Sequence, residues 1–223
     1  MSDNAVVESD DAAGRSRQRD LVRRGYDAIS VAYRSDDGAA APSSAQDVSR
    51  YAGWVADLAS RLRPGARVVD LGCGAGTPAT RELAERGLQV LGVDFSAVQL
   101  RRAQRLVPAA RLVQADMTAF GLVPGSADAV VCFYALIHVP LADQQALLPR
   151  IRDWLRPGGY FLATVGAERW TGTERYLGAD MFWDHADTAT YLRWLEAAGL
   201  TPLWNRYIPE GDAGHSLILA AAR

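Results

Sequence analysis

The 223-residue chain contains no lysine, so all 24 of its basic side chains are arginines. Without a lysine amino group the protein has no Schiff-base lysine, no phosphate-binding lysine of a P-loop and no lysine general base. Together with abundant alanine, this bias indicates a GC-rich coding sequence rather than selection at one site. The absence therefore excludes several chemistries without pointing to another.

Cysteine is scarce as well, because only Cys73 and Cys132 occur, and they form neither a CxxC pair nor a metal-spaced cluster. No apolar run reaches the roughly 20 residues of a membrane span. The N-terminus is acidic and then basic, without the apolar core of a signal peptide. The net charge of -2 offers no surplus for nucleic-acid binding. We therefore expect a cytoplasmic protein that binds neither membranes nor nucleic acid.

The composition, 49% hydrophobic and 22% charged, is typical of a folded soluble domain. Residues 1–17 lack periodicity and predict a disordered tail, which leaves 18–223 as a single domain. A helix is predicted over 19–34, since apolar residues recur there at helical spacing: Val22, Tyr26, Ile29 and Tyr33. A second helix is predicted over 46–62, and the sequence DDGAAAPSS between the two predicts a mobile loop.

From residue 66 onward, short apolar runs alternate with helical patterns. We predict strands over 66–71, 88–93, 111–114, 127–134 and 160–165, and helices over 78–86, 96–107 (with Ser96 as N-cap) and 142–155. This alternation predicts a parallel sheet covered by helices on both faces. After a helix over 188–198, strands over 202–208 and 215–221 are joined only by PEGDAG. That linker is too short for a parallel crossover, so the pair is predicted to be an antiparallel hairpin.

A glycine loop follows the first of these strands in the segment Val69-Asp70-Leu71-Gly72-Cys73-Gly74-Ala75-Gly76. Glycines let a ligand approach the backbone, and the next helix offers unpaired N–H groups. Gly74-x-Gly76-x-x-Ala79 also fits the dinucleotide fingerprint, so a nicotinamide enzyme is an alternative. Against it, Asp70 would repel a pyrophosphate, and the fingerprint starts five residues after Val69 rather than directly on the strand.

The ordered motifs resemble those of the class I S-adenosylmethionine-dependent methyltransferases, in their small-molecule (type 11, UbiE-like) branch. Asp70-x-Gly72-x-Gly74-x-Gly76 resembles the first motif, and Leu91-Gly92-Val93-Asp94 the acidic end of the second strand. Gln114-Ala115-Asp116-Met117 resembles the motif after the third strand. The run 128–138 resembles the fourth-strand motif, and 155–159 the turn before the fifth strand. Together the motifs span roughly residues 45–165.

This resemblance implies an α/β fold, a Rossmann-like doubly wound α/β/α sandwich with a seven-stranded, mostly parallel sheet and a C-terminal antiparallel hairpin. It implies binding of S-adenosylmethionine, with S-adenosylhomocysteine as product, under an N-terminal helical lid (18–62). Asp70 is expected to hold the methionine ammonium, Asp94 the ribose hydroxyls and Asp116 the adenine amino group. The remaining expected cofactor residues are Gly72, Gly74, Gly76, Phe95, Met117 and Tyr134. A purely structural role remains the alternative, such as a tight turn for the glycines or packing for Met117.

The resemblance also places an acceptor-covering segment at 166–187, an insertion rich in aromatic residues. Candidate substrate-binding residues are Tyr26, Trp170, Phe182, Trp183 and His215. Candidate catalytic residues are His185, His138 and Tyr33. For all of these the alternative is packing in a hydrophobic core, and His138 in this branch is often structural.

The expected reaction is a metal-independent, in-line transfer of a methyl group to oxygen, nitrogen or carbon of a small molecule, because no HExxH motif or carboxylate cluster suggests a metal. An NAD(P)-dependent oxidoreductase is one alternative. Another is a protein that binds S-adenosylmethionine but catalyses a rearrangement without methyl transfer. A nucleic-acid methyltransferase is disfavoured, since no Asn/Asp-Pro-Pro-aromatic motif follows the fourth strand. The sequence leaves a monomer and a homodimer equally open.

Overall fold

A computed structural model describes residues 12–36, 47–211 and 213–223. Within these residues, the helices are α1 (Ala12–Tyr33), α2 (Asp47–Ala59), α3 (Ala79–Glu85), α4 (Ala97–Leu106), α5 (Leu141–Trp154) and α6 (Thr188–Ala197). The strands are β1 (Arg67–Leu71), β2 (Gln89–Asp94), β3 (Arg111–Gln114), β4 (Ala127–Cys132), β5 (Leu155–Gly166), β6 (Trp170–Tyr176), β7 (Ala179–His185), β8 (Leu200–Glu210) and β9 (Ala213–Ala222). A short 3-10 helix, Leu136–His138, precedes α5.

Seven strands form one sheet in the order β3-β2-β1-β4-β5-β9-β8. The first five strands in that order pair in parallel, whereas β9 pairs antiparallel with both β5 and β8. The predicted α/β fold with its C-terminal antiparallel hairpin is therefore confirmed. The strand order reverses between β1 and β4, and ligands of such sheets bind beyond the carboxyl ends of the strands at that point.

Side chains of the central strands bury alternately on the two faces of the sheet. On one face, Val130 and Phe161 pack with residues of α5 and α6, including Leu147 and Tyr191. On the other face, the strands pack against α2 and α3 through residues including Val55 and Leu83. Both clusters are closed to water, as expected for a sheet covered on both faces. Helix α2 therefore belongs to the α/β/α sandwich itself. Of the predicted lid segment 18–62, α1 is the part that crosses the cleft at the carboxyl ends of the strands.

Helix α1 begins at Ala12, so the expectation of disorder is wrong for 12–17, while 1–11 lie outside the described residues. The helix packs across α4 and β7. Its approach to β7 is close, because a Cβ at Gly25 would lie 2.5 Å from the sulfur of Met181. Most of the loop predicted as mobile, 37–44, also lies outside the described residues.

Two parts of the sheet region differ from the predicted pattern. Strand β5 begins at Leu155 rather than at 160, because Leu155 pairs with Ala127 ahead of a shift in register. The aromatic segment 166–187 forms the antiparallel hairpin β6-β7, in which Trp170 pairs with His185. The sequence pattern does not predict this hairpin, because most of β6 is solvent-exposed and so lacks the apolar run of a buried strand. The N-cap predicted at Ser96 is confirmed, because its side chain accepts a hydrogen bond from the amide of Gln99.

Candidate active site

A cleft lies beyond the carboxyl ends of β1, β2 and β4, with α1 across it. It has two adjoining compartments of about 700 and about 410 Å³, including space open to solvent. The walls of the larger compartment include Arg19, Val22, Tyr26, Tyr33, Gly72, Gly74, Asp94, Phe95, Gln99, Asp116, Met117, Tyr134 and His138. Those of the smaller include Tyr33, Arg34, Tyr51, Asp70, Gly72, Cys73, Gly74 and Thr77.

The glycine loop forms the floor that the two compartments share. Gly72 has a φ of +73°, and a Cβ there would lie 2.2 Å from the Cβ of Ala135. A side chain at this position would therefore clash with the loop after β4 as well as strain the backbone. Gly76, expected at the cofactor, faces elsewhere, because a Cβ on it would meet Val107 of the neighbouring α4 region at 2.9 Å. Its role is thus to let the loop pack against α4.

Asp94, at the end of β2, ties the glycine loop to the start of α4. One carboxylate oxygen accepts from the amide of Gly74 and the other from the amide of Ser96, both at 2.9 Å. Burial raises the pKa of Asp94 to about 6, although these amides lower it. Each oxygen keeps a further lone pair, so the carboxylate can still accept hydrogen bonds from a ligand in the larger compartment.

Asp70, at the end of β1, is buried and accepts a hydrogen bond from the hydroxyl of Thr80 at 2.6 Å. Burial raises its pKa to about 7, the Thr80 bond lowers it, and the nearby Asp94 carboxylate raises it further. The same side chain thus anchors α3 and borders the smaller compartment. Cys73 lies beside it, and burial raises the pKa of its thiol well above the ordinary value, which makes it a poor nucleophile.

Asp116 lies at the opposite end of the larger compartment, where α1 approaches the sheet. One of its oxygens accepts from the amide and hydroxyl of Thr118, both at 2.8 Å, and the other pairs with Nε of Arg19 at 2.9 Å. Arg19 also contacts Asp143, and Nε of Arg15 lies 3.0 Å from the other oxygen of Asp143. Two arginines of α1 are therefore held against the first turn of α5.

Tyr26 and His138 both line the larger compartment and contact each other. The Tyr26 hydroxyl lies 2.9 Å from Nε2 of His138, and Nδ1 of that ring lies 2.7 Å from the carbonyl oxygen of Phe182. Burial lowers the pKa of His138 to about 4, although the bond to the Phe182 carbonyl raises it. Burial also raises the pKa of Tyr26 well above its ordinary value. Both groups are therefore neutral at physiological pH.

Tyr134 lines the larger compartment from the loop after β4, with a φ of 54°. Its hydroxyl donates to one oxygen of Glu210, whose other oxygen lies 3.1 Å from Nδ1 of His215. Burial alone would raise the pKa of Glu210, but the bonds from His215 and Tyr134 hold it below its ordinary value. The pair Glu210 and His215 thus positions the Tyr134 ring.

The remaining expected acceptor residues lie behind the walls of the cleft rather than on them. His185 does not line either compartment, because its Nδ1 donates to the carbonyl of Glu168 at 2.6 Å and its ring stacks on Trp170. Trp170 is 37% exposed at the surface of the hairpin, and the Phe182 side chain is buried in the core. Trp183 packs against the ring of His138, with centroids 5.2 Å apart. None of these four residues, nor His215, lines the two compartments; His215 reaches the cleft through Tyr134, and the roles expected of all five in the reaction stay predictions.

Several residues of the cleft were not among the predicted site residues, including the polar residues Arg19, Arg34, Thr77 and Gln99. Arg19 lies one helical turn before Val22 on the predicted apolar face of α1, so the helical spacing could have indicated it. Arg34 is buried, with its guanidinium 4.9 Å from the centre of the Tyr33 ring. The Thr77 hydroxyl is buried without a hydrogen-bond partner among the described residues. No local sequence signal distinguishes Thr77 from any other loop threonine.

Across residues 12–36, 47–211 and 213–223, no three His, Cys, Asp or Glu side chains converge in a way that suits a metal ion. Among the helices of those ranges, none combines the length and the apolar character needed to cross a membrane.

Comparison with known proteins places these features in a family context. Residues 68–159 match a family model described as a methyltransferase domain. Trans-aconitate 2-methyltransferase of Paracidovorax citrulli is 40% identical over 100 residues, which are 44% of this chain and 38% of that protein. The chain spans 38%, 32% and 54% of the length of the first three curated relatives that it matches.

Two solved structures share the fold over most of the chain. One is Burkholderia thailandensis 1,6-didemethyltoxoflavin-N1-methyltransferase with bound 1,6-didemethyltoxoflavin and S-adenosylhomocysteine; it has a TM-score of 0.66 and 21% identity and covers 93% of this chain and 86% of that one. The other is the [4+2]-cyclase SpnF, with a TM-score of 0.72 and 20% identity, covering 92% of this chain and 95% of that one. At such identities the likeness concerns the fold alone.

Proposed function

We propose that the protein transfers a methyl group from S-adenosylmethionine to a small molecule, a function supported by the match of residues 68–159 to a methyltransferase domain and by the order of the strands in the sheet. The observation that carries this proposal is the convergence of Asp70, Asp94 and Asp116 on one cleft around the glycine loop. The three carboxylates come from the ends of successive parallel strands. They suit a ligand that presents an ammonium, two vicinal hydroxyls and an aromatic amine.

The part of the larger compartment bordered by Asp94, Phe95, Asp116 and Met117 suits the adenosine part of the cofactor, and the part bordered by Tyr26, Tyr134 and His138 is left for the acceptor. Asp94 accepts from the ribose hydroxyls while it keeps its bonds to the loop amides. Asp116 accepts from the adenine amino group once Arg19 shifts from its carboxylate. The side chains of Phe95 and Met117 supply apolar surface for the adenine ring.

The smaller compartment suits the methionine part. Asp70 faces an ammonium there, and the bound cation lowers the cost of its ionisation. The unpartnered Thr77 hydroxyl and the buried Arg34 guanidinium fit a carboxylate in the same compartment. This orphaned hydroxyl is the feature of the structure that most directly calls for a polar ligand, because leaving it unsatisfied costs free energy.

When bound, the cofactor supplies a methyl carbon that its sulfonium already activates toward displacement. What the protein must do is align the acceptor with that carbon and exclude water. Helix α1 covers the cleft, and Tyr26, Tyr33 and Tyr134 border it with aromatic surface. Proximity and orientation of this kind are worth several kcal/mol of barrier, roughly 7–11 in well-oriented intramolecular systems.

Two other functions were open from the sequence. A nicotinamide enzyme is disfavoured, since buried carboxylates at Asp70 and Asp94 oppose a pyrophosphate beside the loop. A rearrangement without methyl transfer is the second candidate, and the shared fold with the [4+2]-cyclase SpnF favours keeping it. The acceptors of the named methyltransferases differ from each other, so the acceptor of this protein depends on the residues of its own site.

We also propose a cytoplasmic protein, monomeric or homodimeric, without nucleic-acid partners. Both cysteines, Cys73 and Cys132, are buried free thiols, which suits a reducing compartment. A cleft roofed by α1 suits a small acceptor better than a polymer. Size-exclusion chromatography with light scattering measures the oligomeric state.

Calorimetry tests the proposal directly. S-adenosylmethionine is expected to bind with a micromolar Kd, and Asp94→Ala to weaken it more than tenfold, because the variant loses both the ribose acceptor and the anchor of the loop. The matched control is Asp180→Ala, an exposed aspartate of the β6-β7 hairpin, which leaves the Kd unchanged. Binding of NADH in place of S-adenosylmethionine contradicts the proposal. Binding followed by conversion of a substrate without methylation favours the rearrangement.

A further inference from the structure

The contact between Tyr26 and His138 constrains what the methyl acceptor can be. The inference rests on the proposed function and concerns the acceptor end of the cleft. Tyr26 comes from α1 and His138 from the 3-10 helix after β4, and both line the larger compartment. Their contact therefore links α1, which covers the cleft, to the segment that follows β4.

The direction of each hydrogen bond in this chain follows from the groups themselves. The carbonyl of Phe182 can only accept, so Nδ1 of His138 carries a proton and donates it. In the neutral ring, Nε2 then has no proton and accepts from the hydroxyl of Tyr26. The single proton of Tyr26 is thereby committed to His138. Toward the cleft, the Tyr26 oxygen can therefore only accept a hydrogen bond.

We propose that Tyr26 accepts a hydrogen bond from an O–H or ring N–H of the methyl acceptor, and that Tyr26 and His138 together carry that proton away during transfer. The acceptor lone pair forms the bond to the methyl carbon, and the S–C bond pair goes to sulfur. The acceptor proton moves to the Tyr26 oxygen while the Tyr26 proton moves to Nε2 of His138. The step leaves a neutral methylated product, a neutral thioether and a protonated His138, which releases its proton to water as the products leave.

The weak basicity of the buried His138 narrows the acceptor class. A hydroxyl or ring N–H becomes strongly acidic as the methyl group bonds to it, so a weak but well-placed base suffices. An alkyl ammonium has no free lone pair, and its methylated form is too weak an acid to protonate this imidazole. A carboxylate has no proton to donate and would face the lone pairs of the Tyr26 oxygen.

The surroundings favour a flat acceptor. Tyr26 touches the ring of Tyr33, with centroids 5.2 Å apart, and Tyr33 in turn lies 6.3 Å from Tyr176. Trp183 backs His138 from the hairpin. Such edge-on rings suit an aromatic or conjugated molecule. The acceptor class is therefore a phenol-like hydroxyl or the N–H of a flat heterocycle.

The other histidines are less suited to this role. In His185, Nδ1 donates a hydrogen bond to the carbonyl of Glu168, and the side chain does not line the cleft. His215 is paired with Glu210, which also holds Tyr134. His138 alone among the three both lines the cleft and contacts a hydroxyl there.

The experiment follows transfer from S-adenosylmethionine with a deuterated methyl group to a panel of flat ring compounds by mass spectrometry. Each ring is supplied as the phenol or N-heterocycle, the matching carboxylic acid and the matching aminomethyl compound. Transfer is expected to phenols or ring N–H groups and not to the matched acids or amines. Transfer confined to acids or amines overturns the inference, as does the absence of transfer to every phenol and heterocycle.

The variants Tyr26→Phe and His138→Gln test the relay. Each is expected to lower kcat by roughly 10²-fold, the low end for general base catalysis, and the double variant to lose no more than either alone. The decrease in kcat is expected to be smaller for electron-poor phenols that are already ionised, because they have no proton to transfer. A merely structural role of Tyr26 and His138 would not produce this dependence on the phenol. A loss that is the same for all phenols contradicts the relay.

Controls separate this inference from the proposed function. Tyr207→Phe, an exposed tyrosine of β8, keeps full activity. Calorimetry on all variants is expected to show cofactor affinity within twofold of the parent chain, with melting curves confirming that each is folded. Failure of the parent chain to bind S-adenosylmethionine rejects the proposed function, whereas binding with transfer to the wrong class rejects only the relay.

Discussion

Two buried carboxylates, Asp70 and Asp94, lie beside the glycine loop, and the charge of Asp94 adds to the effect of burial in raising the pKa of Asp70. In the folded chain, burial raises the pKa of Asp70 to about 7. Because the folded state then binds a proton more tightly than the unfolded state, Asp70 makes the chain less stable as the pH rises from about 4 to 7. Ionised Asp70 therefore lowers the free energy of unfolding, and a bound cationic ligand reduces this destabilisation.

The variant Asp70→Asn is expected to be more stable than the parent chain at pH 8, by up to about 4 kcal/mol, and by less than half of that at pH 5. The amide can still accept the Thr80 bond but carries no charge to bury. Urea denaturation at the two pH values measures the difference. Cofactor affinity is expected to fall in the same variant, since the ammonium loses its counter-charge.

Asp128→Asn is the control, because its effect on the free energy of unfolding is expected to have the opposite sign to that of Asp70→Asn. Burial tends to raise the pKa of Asp128, but the amide of Arg67 and the guanidinium of Arg156 hold it below its ordinary value. Removing this charge is therefore expected to destabilise the chain at pH 8, and less at low pH. Equal behaviour of the two variants with pH contradicts the assignment of Asp70 as a destabilising charge.

At the scale of elements, α1 is held over the cleft by contacts at both ends. Near its start, Arg15 and Arg19 pair with Asp143 of α5. Near its end, the buried guanidinium of Arg102 donates to the carbonyl and hydroxyl of Ser30 at 2.5 and 2.7 Å. The middle is fixed by the close approach of Gly25 to Met181. Of these, the pairs at the start can open with the least disturbance of the core.

Asp143→Asn is expected to loosen the start of α1 and speed release of S-adenosylmethionine several-fold. Both arginines lose an ionic partner, and Arg19 borders the adenosine compartment. Stopped-flow dissociation and hydrogen exchange of 12–22 measure the effect. Arg24→Gln is the control, since Arg24 pairs only with Asp20 within the helix among the described contacts, and exchange should not change. Unchanged release in Asp143→Asn argues that α1 does not cover the bound cofactor.

At the scale of the whole molecule, two apolar clusters share one sheet. Strands β1, β4, β5 and β9 contribute to both clusters, so loss of the sheet would expose both. The cleft is built on the ends of the same strands. Ligand binding should therefore stabilise the molecule as a unit.

We expect a single thermal transition, the same by tryptophan fluorescence and by circular dichroism. S-adenosylmethionine at 100 times its Kd should add about 2.7 kcal/mol to the free energy of unfolding. The measurement is thermal unfolding with and without the cofactor. Two separate transitions, of which only one moves with the cofactor, contradict a single cooperative domain.

The positions of the cofactor residues were largely predictable. Asp94 and Asp116 follow predicted strands, and the carboxyl ends of parallel strands lie at one edge of a sheet. The glycine at 72 was indicated by its loop, and its positive φ and close approach to Ala135 agree with that. Gly76 packs closely against Val107 and Ala103, and the motif by itself does not distinguish a glycine that meets a ligand from one that packs against a helix.

The acceptor end was less predictable. His185 was a candidate base by its place in an aromatic segment, but the β6-β7 hairpin turns it toward Glu168 and Trp170. The exposed polar residues of β6 lack the apolar pattern of a buried strand, so the sequence does not predict that hairpin. Thr77 borders the cleft without a local sequence signal, whereas the helical spacing of α1 could have indicated Arg19.

By itself, the sequence determined the α/β architecture, the absence of lysine chemistry and the glycine loop with its carboxylates. These depend on periodicity and on backbone conformation, which act between neighbours along the chain. Only the tertiary structure decided that Tyr26 donates to His138, 112 positions away, and that His185 does not border the cleft. Such pairings depend on how whole elements pack, and the local sequence does not encode the distance between residues on different elements.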